Sequence, residues 1–284
     1  MVSIRAAVIL ASVLLAGCQT QQHSTSASTI MEQGSYRLET LHQARGADQR
    51  IRFLVMHYTA SDFNASLKTL TDENVSAHYL LPEQPSLQKG KPVAYQLVPE
   101  EMRAWHAGVS YWRGRNNLND TSIGIELVNP GFSHLLQAKH WPPYSPAQIE
   151  LLILLSRDII KRYDIQPMDI VGHSDIAPQR KQDPGPLFPW QQLAQAGIGA
   201  WPDKQQVEYY LAGRDKQAPV AMAPFLAKLQ RYGYGVDPTW DRNQQQHLVA
   251  AFQMHFRPGD HRGKPDAESE AIIDALLSKY GQGR

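Results

Sequence analysis

At 284 residues the chain is long enough to bury one sizeable domain and a small second one. Lys and Arg number 28 against 27 Asp and Glu, so no basic excess points to a nucleic-acid partner. The single cysteine, Cys18, excludes a disulfide within the chain and leaves any metal site in the folded body to His, Asp or Glu.

Residues 1–17 are expected to be a signal peptide. Arg5 supplies a positive start, and Ala6 to Leu15 is an apolar run too short to span a bilayer. The run ends in Leu15-Ala16-Gly17-Cys18, which resembles the lipobox of bacterial lipoproteins. That resemblance implies cleavage before Cys18 and acylation of both its sulfur and its amine. Two or more acyl chains anchor a protein stably where one does not. Gln19 stands where such lipoproteins carry Asp when they stay in the inner membrane. The resemblance therefore implies an outer-membrane protein facing the periplasm. The alternative is an ordinary signal peptide with a chance cysteine. Residues 18–34 are expected to be a tether, rich in Gln, Ser and Thr as far as Thr29.

A domain over 35–213 follows. Ile51–Tyr58 is an expected central strand, and Asn64 an expected cap for a helix from Ala65 to about Thr71. Val75–Leu81 and Pro92–Val98 are strand candidates, and Ser122–Leu127 is an apolar strand with Glu126 inside it. Residues 130–144 make a long aromatic and proline-bearing loop. Ser145-Pro146-Ala147-Gln148 has the form of a capping box with proline at the first helical position. Behind it, Ile149, Leu152, Ile153, Ser156, Ile159, Ile160 and Tyr163 keep the three-four spacing of one buried helix face. Asp169–Gly172 is a short strand that ends at His173. Trp190–Ala196 and Gln205–Leu211 are short helices. Strands alternating with helices predict an α/β domain with a mixed central sheet flanked by helices. After a linker at 213–219, three amphipathic stretches over 220–284 predict a small all-α C-terminal domain.

The stretch Val171 to Pro184 holds His173, Lys181 and Asp183 within a loop that Pro178, Pro184 and Pro186 keep out of helix. His173 and Asp183 suit zinc, and His57, at the end of an apolar strand, is a candidate third ligand. Three protein ligands leave a fourth position for water, as in a catalytic zinc, and amide or ester hydrolysis follows. Glu126 is the candidate proton shuttle and Lys181 the candidate oxyanion partner. By residue type alone, His78, His106, His134 and His140 are equally eligible ligands. Glu126 could equally sit in a structural ion pair, and Lys181 could be solvated.

Four motifs narrow this. His57–Ala60 (HYTA), Trp105–Gly108 (WHAG), Asn119–Asn129 (NDTSIGIELVN) and Gly172–Pro186 (GHSDIAPQRKQDPGP) together resemble the zinc-dependent N-acetylmuramoyl-L-alanine amidases. That family shares its fold with peptidoglycan-recognition proteins. With the lipobox and a helical tail, the chain looks most like its outer-membrane lipoprotein members from Gram-negative bacteria. The resemblance implies zinc held by His57, His173 and Asp183, Glu126 as catalytic glutamate, and Lys181 near the scissile carbonyl. Relatives that only recognise the wall lose a ligand, commonly the last, whereas Asp183 is present. The bond cut would be the amide between N-acetylmuramic acid, or its anhydro form, and the L-alanine of the stem peptide. Trp105 and His106 are expected to wall the substrate groove, with core packing as the alternative. The tail resembles a three-helix peptidoglycan-binding module.

The expectation is a monomeric, lipid-anchored zinc amidase whose partners are peptidoglycan, muropeptides and the membrane. Its rivals are a non-catalytic peptidoglycan-binding lipoprotein, a zinc-stabilised tether, and a hydrolase of some other amide.

Overall fold

The computed structural model describes residues 30–135 and 138–281. The signal peptide, Cys18 and the tether up to residue 29 lie outside the described residues. The chain divides into two compact units, Met1–Asp48 and Gln49–Arg284. In the first, Ile30–Gln33 pairs antiparallel with Tyr36–Glu39 around a turn at Gly34, whose φ is +39°. The expected start of the sheet domain at 35 falls within this unit. The expected linker at 213–219 falls inside the second.

The second unit is organised on a five-stranded sheet. Its strand order is Ile170–Gly172, Phe53–Tyr58, Ser122–Leu127, Tyr79–Leu81 and Tyr95–Gln96. The first four run parallel and the last is antiparallel, so the sheet is mixed. The two central strands are apolar along almost their whole length, as strands covered on both faces must be. Alternate residues face opposite ways. Leu54 and Met56 join Ile123, Ile125, Ile149, Leu152 and Ile159 under the 18-residue helix Pro146–Tyr163. Phe53 and Val55 face the other way, into a core shared with Trp112, Val171, Phe225, Leu229, Phe252 and Leu276.

That second core belongs jointly to the sheet and to the three C-terminal helices, Met222–Tyr232, Arg242–Phe256 and Ala267–Tyr280. Trp112 meets Tyr234 edge-on at 4.8 Å between ring centres. No helix among the described residues is long and apolar enough to cross a membrane.

Several local expectations are corrected. The helix at Asn64 is Phe63–Leu70, and its cap is Asp62, whose carboxylate accepts from the Ala65 N–H at 2.9 Å. An ionised acceptor at a helix N-terminus fills this place well. Ser145 does cap the long helix. The reciprocal half of the expected capping box is absent, because the Gln148 amide is drawn into the core. There it donates to the carbonyls of Leu81 and Val128, both at 3.0 Å. Val75–Leu81 is strand only over Tyr79–Leu81. Pro92–Val98 splits, with Lys91–Pro92 pairing back to Leu87–Gln88 and Tyr95–Gln96 joining the sheet. The 130–144 loop contains a small hairpin of Ser133–Leu135 with Ala138–His140.

Candidate metal centre and cleft

The expected metal ligands gather at the carboxyl end of the parallel strands, where open α/β sheets place ligands. His57 is the fifth residue of Phe53–Tyr58 and shares the face of Phe53 and Val55. Glu126 is its partner in register on the neighbouring strand, so the two side chains stand side by side. His173 follows Gly172, at the end of the strand on the other side of His57. Asp183 returns ten residues later, and the Ser174 N–H donates to the Asp183 carbonyl at 2.8 Å.

Three donor atoms converge. His57 Nδ1 lies 2.9 Å from His173 Nδ1, and each lies 3.1 Å from Asp183 Oδ2. All three side chains are buried. A tetrahedral ion with bonds near 2.0–2.1 Å has ligand-to-ligand edges of about 3.3 Å, close to this spacing.

The far side of His57 assigns its tautomer. His173 Nε2 lies between the Ala107 carbonyl at 3.2 Å, which accepts, and Arg180 Nη2 at 3.3 Å, which donates. His57 Nε2 is 3.0 Å from His106 Nδ1, and His106 Nε2 is 3.2 Å from Ser122 Oγ. The Ser122 hydroxyl in turn donates to the Leu118 carbonyl at 2.6 Å. One proton direction satisfies the chain from His57 through His106 to Leu118: His57 Nε2 and His106 Nε2 carry hydrogen and donate outward. The His57 Nδ1 lone pair then points at His173 Nδ1 and at a carboxylate. Lone pairs facing at this distance repel unless a cation lies among them. Two neutral imidazoles and one carboxylate are a donor set that fits zinc.

Electrostatics agree. Burial, with the neighbouring His173 adding to it, pushes His57 down to about 4, so it stays neutral at ordinary pH. Burial also holds His106 well below the usual histidine range, helped by His57 and His78. Burial alone would raise Asp183, but His173 and His57 hold it far below the carboxylate range. Glu126 goes the other way. Burial and the Asp183 charge push it up to about 8, with Lys181 opposing. Glu126 is partly exposed, yet its Oε2 is buried without a hydrogen-bond partner.

A cavity of about 410 Å³ opens over this cluster, lined among others by Tyr58, Trp105, His106, Glu126, Lys181 and Asp183. Trp105 is 49% exposed at its rim. His106 is buried, with both ring nitrogens engaged by protein groups. Its ring fits because the facing strand residue is Gly124, where a Cβ would lie 2.4 Å from the His106 ring.

Of the other histidines, His78 accepts from the Gly124 N–H at 3.0 Å and is a strand tie. His134 and His140 sit exposed on the small hairpin. Among the described residues His57, His173 and Asp183 are the group able to hold a metal ion.

Three supporting residues lie inside the four motifs, but their spacing in the chain assigns them no role. The Asn119 side chain accepts from the His106 and Ala107 N–H groups at 3.1 and 2.7 Å, which joins two of the motifs. Arg180 donates to the carbonyls of Ala107 and Val109. Asp175, two residues after His173, accepts from the Gly172 N–H at 2.7 Å.

Comparison with known proteins bears on this geometry. The sequence profile of the N-acetylmuramoyl-L-alanine amidase family matches residues 47–186. N-acetylmuramoyl-L-alanine amidase AmiD of Escherichia coli (strain K12) is 55% identical over 275 residues, covering 97% of this chain and 98% of that protein. The structure is similar to the complex of E. coli AmiD with anhydro-N-acetylmuramic acid-L-Ala-D-gamma-Glu-L-Lys. The TM-score is 0.88 at 56% identity, covering 90% of this chain and 100% of that one. It is also similar to AmpDh3 from Pseudomonas aeruginosa in complex with anhydromuramic pentapeptide. There the TM-score is 0.78 at 43% identity, covering 88% of this chain and 98% of the other.

Proposed function

The chain belongs to the N-acetylmuramoyl-L-alanine amidase family, and from that premise we propose how its residues perform the family's reaction. It hydrolyses the amide bond between N-acetylmuramic acid and the L-alanine of the peptidoglycan stem peptide, the anhydro sugar included. The observation that carries the residue assignment is the convergence of His57 Nδ1, His173 Nδ1 and Asp183 Oδ2, with Glu126 beside them on the same cavity.

Zinc is the proposed occupant of that donor set. When bound, it polarises the amide carbonyl, lowers the pKa of the attacking water and favours the ionised form of Glu126. Glu126 accepts the water's proton and returns it to the leaving nitrogen. Its buried, unpartnered Oε2 supports this role, because an idle carboxylate there costs stability. The Lys181 side chain has no hydrogen bond or ion pair among the described residues and lines the same cavity. Its ammonium donates to the carbonyl oxygen as negative charge builds there. Trp105 offers a ring face to the substrate. His106 contributes a ring edge, since both its nitrogens hold protein partners.

Leu15–Cys18 supports a lipid-anchored protein of the outer membrane, facing the periplasm. The protein is proposed to act as a monomer. The C-terminal helices are proposed to meet the wall as well.

Mass spectrometry of digests decides the central claim. Intact sacculi and anhydro-muropeptides should release free stem peptide with zinc and none with EDTA. Wall binding without release would make the protein a non-catalytic anchor. In the same assay, Cys18→Ala should move the activity out of the outer-membrane fraction; activity that stays there would remove the lipid anchor from this reading.

A further inference from the structure

Asp175 is a carboxylate 1% exposed, and three donors converge on it. The Gly172 N–H reaches Oδ2 at 2.7 Å. His255 Nδ1 reaches the same oxygen at 2.7 Å, and the Tyr234 hydroxyl donates to Oδ1 at 2.7 Å. The first donor belongs to the residue before His173. The other two come from the C-terminal helical region, 80 and 59 residues away along the chain. We infer that Tyr234 and His255 are positioning residues for the metal-binding turn, acting on His173 and Asp183 through the Asp175 carboxylate.

The path from clamp to ligands is short. Asp175 fixes the Gly172 amide, where the chain enters His173. The Ala177 N–H closes the turn by donating to the His173 carbonyl at 3.0 Å. Ser174, between His173 and Asp175, ties its N–H to the Asp183 carbonyl. Gly172 also packs against the segment after Asp183, since a Cβ there would lie 2.6 Å from Pro184 Cδ. Any tilt of this turn therefore moves two of the three donor atoms together.

Both clamp side chains are themselves held rigidly. His255 lies flat between Trp190 and Phe256, at 3.8 and 3.9 Å between ring centres. Tyr234 stands edge-on to Trp112, whose indole N–H donates to the Met168 carbonyl at 3.0 Å. A carboxylate, an imidazole and a phenol in a largely apolar core are costly, where apolar residues would pack. What they hold is a hydrogen-bonded geometry, as outer partners of metal ligands do.

The inference rests on the zinc reading above, and it is tested on zinc itself rather than on turnover. Full-length protein is titrated with zinc against a competing chelator, as wild type and as Tyr234→Phe, His255→Leu, His255→Asn and Leu276→Ala. Loss of an outer partner weakens metal binding about tenfold or more, so Tyr234→Phe and His255→Leu should each raise the zinc Kd by that factor. His255→Asn keeps an N–H near the place of Nδ1 and should bind zinc more tightly than His255→Leu. Leu276→Ala opens a hole in the same helical region and removes no hydrogen bond to the turn. It should lower Tm and leave the Kd unchanged. Wild-type Kd values in both Tyr234→Phe and His255→Leu would overturn the inference, and so would an equal loss in Leu276→Ala. Wild-type protein that takes up no zinc would instead overturn the zinc reading, and this inference with it.

Discussion

Leu54 and Met56 look one way from the central strand, while Phe53, Val55 and His57 look the other. The first face meets the helix Pro146–Tyr163 in a contact that is almost wholly apolar. The second starts apolar and turns polar at its carboxyl end, where His57, Glu126 and His106 stand beside one another. Burial on the first face is worth about 25 cal/mol for each Å² removed from water. At the polar end, buried imidazoles and a carboxylate cost stability unless each has a partner. One sheet thus stabilises the molecule through one face and spends part of that stability at the edge of the other. Substitutions on the two faces should separate folding from chemistry.

The largest effect is expected on the polar side. Glu126→Gln should lower kcat by about 10² to 10⁴, the usual contribution of a positioned acid–base group, and leave zinc uptake intact. Stopped assays on a muropeptide, with metal content measured on the same sample, check this; near-wild-type turnover would return Glu126 to a structural role. On the apolar side, Leu152 is fully buried under the helix. Leu152→Ala should cost about 2 to 5 kcal/mol of unfolding free energy and leave the zinc Kd unchanged. Denaturant unfolding measures the first quantity and chelator competition the second, and a changed Kd would mean that the two faces are coupled.

The smallest effect concerns pH. Glu126 rises from 4.5 in the unfolded chain to about 8 in the folded one. Between those values the folded protein keeps a proton that the unfolded chain has lost. Zinc-free stability contributed by this group is therefore full below pH 4.5 and lost as pH rises towards 8. Gln carries no such proton. Zinc-free Glu126→Gln should accordingly match wild type near pH 4.5 and melt higher at pH 8, by about 2 to 4 °C for each kcal/mol relieved. A Tm difference that does not change with pH would show that Glu126 has a partner when zinc is absent.

How far the chain could be read in order differed between these regions. The helix under the apolar face was legible because its three-four spacing and Ser145 are local features. Its Gln148 was misassigned, since nothing nearby shows that two strand carbonyls lie within reach of the amide. The cap read at Asn64 falls instead at Asp62, because both residue types cap well and only the backbone path chooses. The metal ligands were eligible by residue type, but so were four other histidines, and motif resemblance separated them. The roles of Asn119, Ser122 and Asp175 were invisible, because each acts through partners that are distant in sequence or through backbone atoms.

By itself the sequence determined the alternation of strands and helices, the apolar faces, the membership suggested by four ordered motifs, and the absence of thiol chemistry from the folded body. These follow from short-range periodicity and residue type. Only the tertiary structure decided that two Nδ1 atoms and one Oδ2 meet, which tautomer His57 carries, and that the last three helices share a core with the sheet and reach the turn at His173. Those facts depend on register between strands and on hydrogen bonds spanning 49 to 126 residues, and no local pattern encodes them.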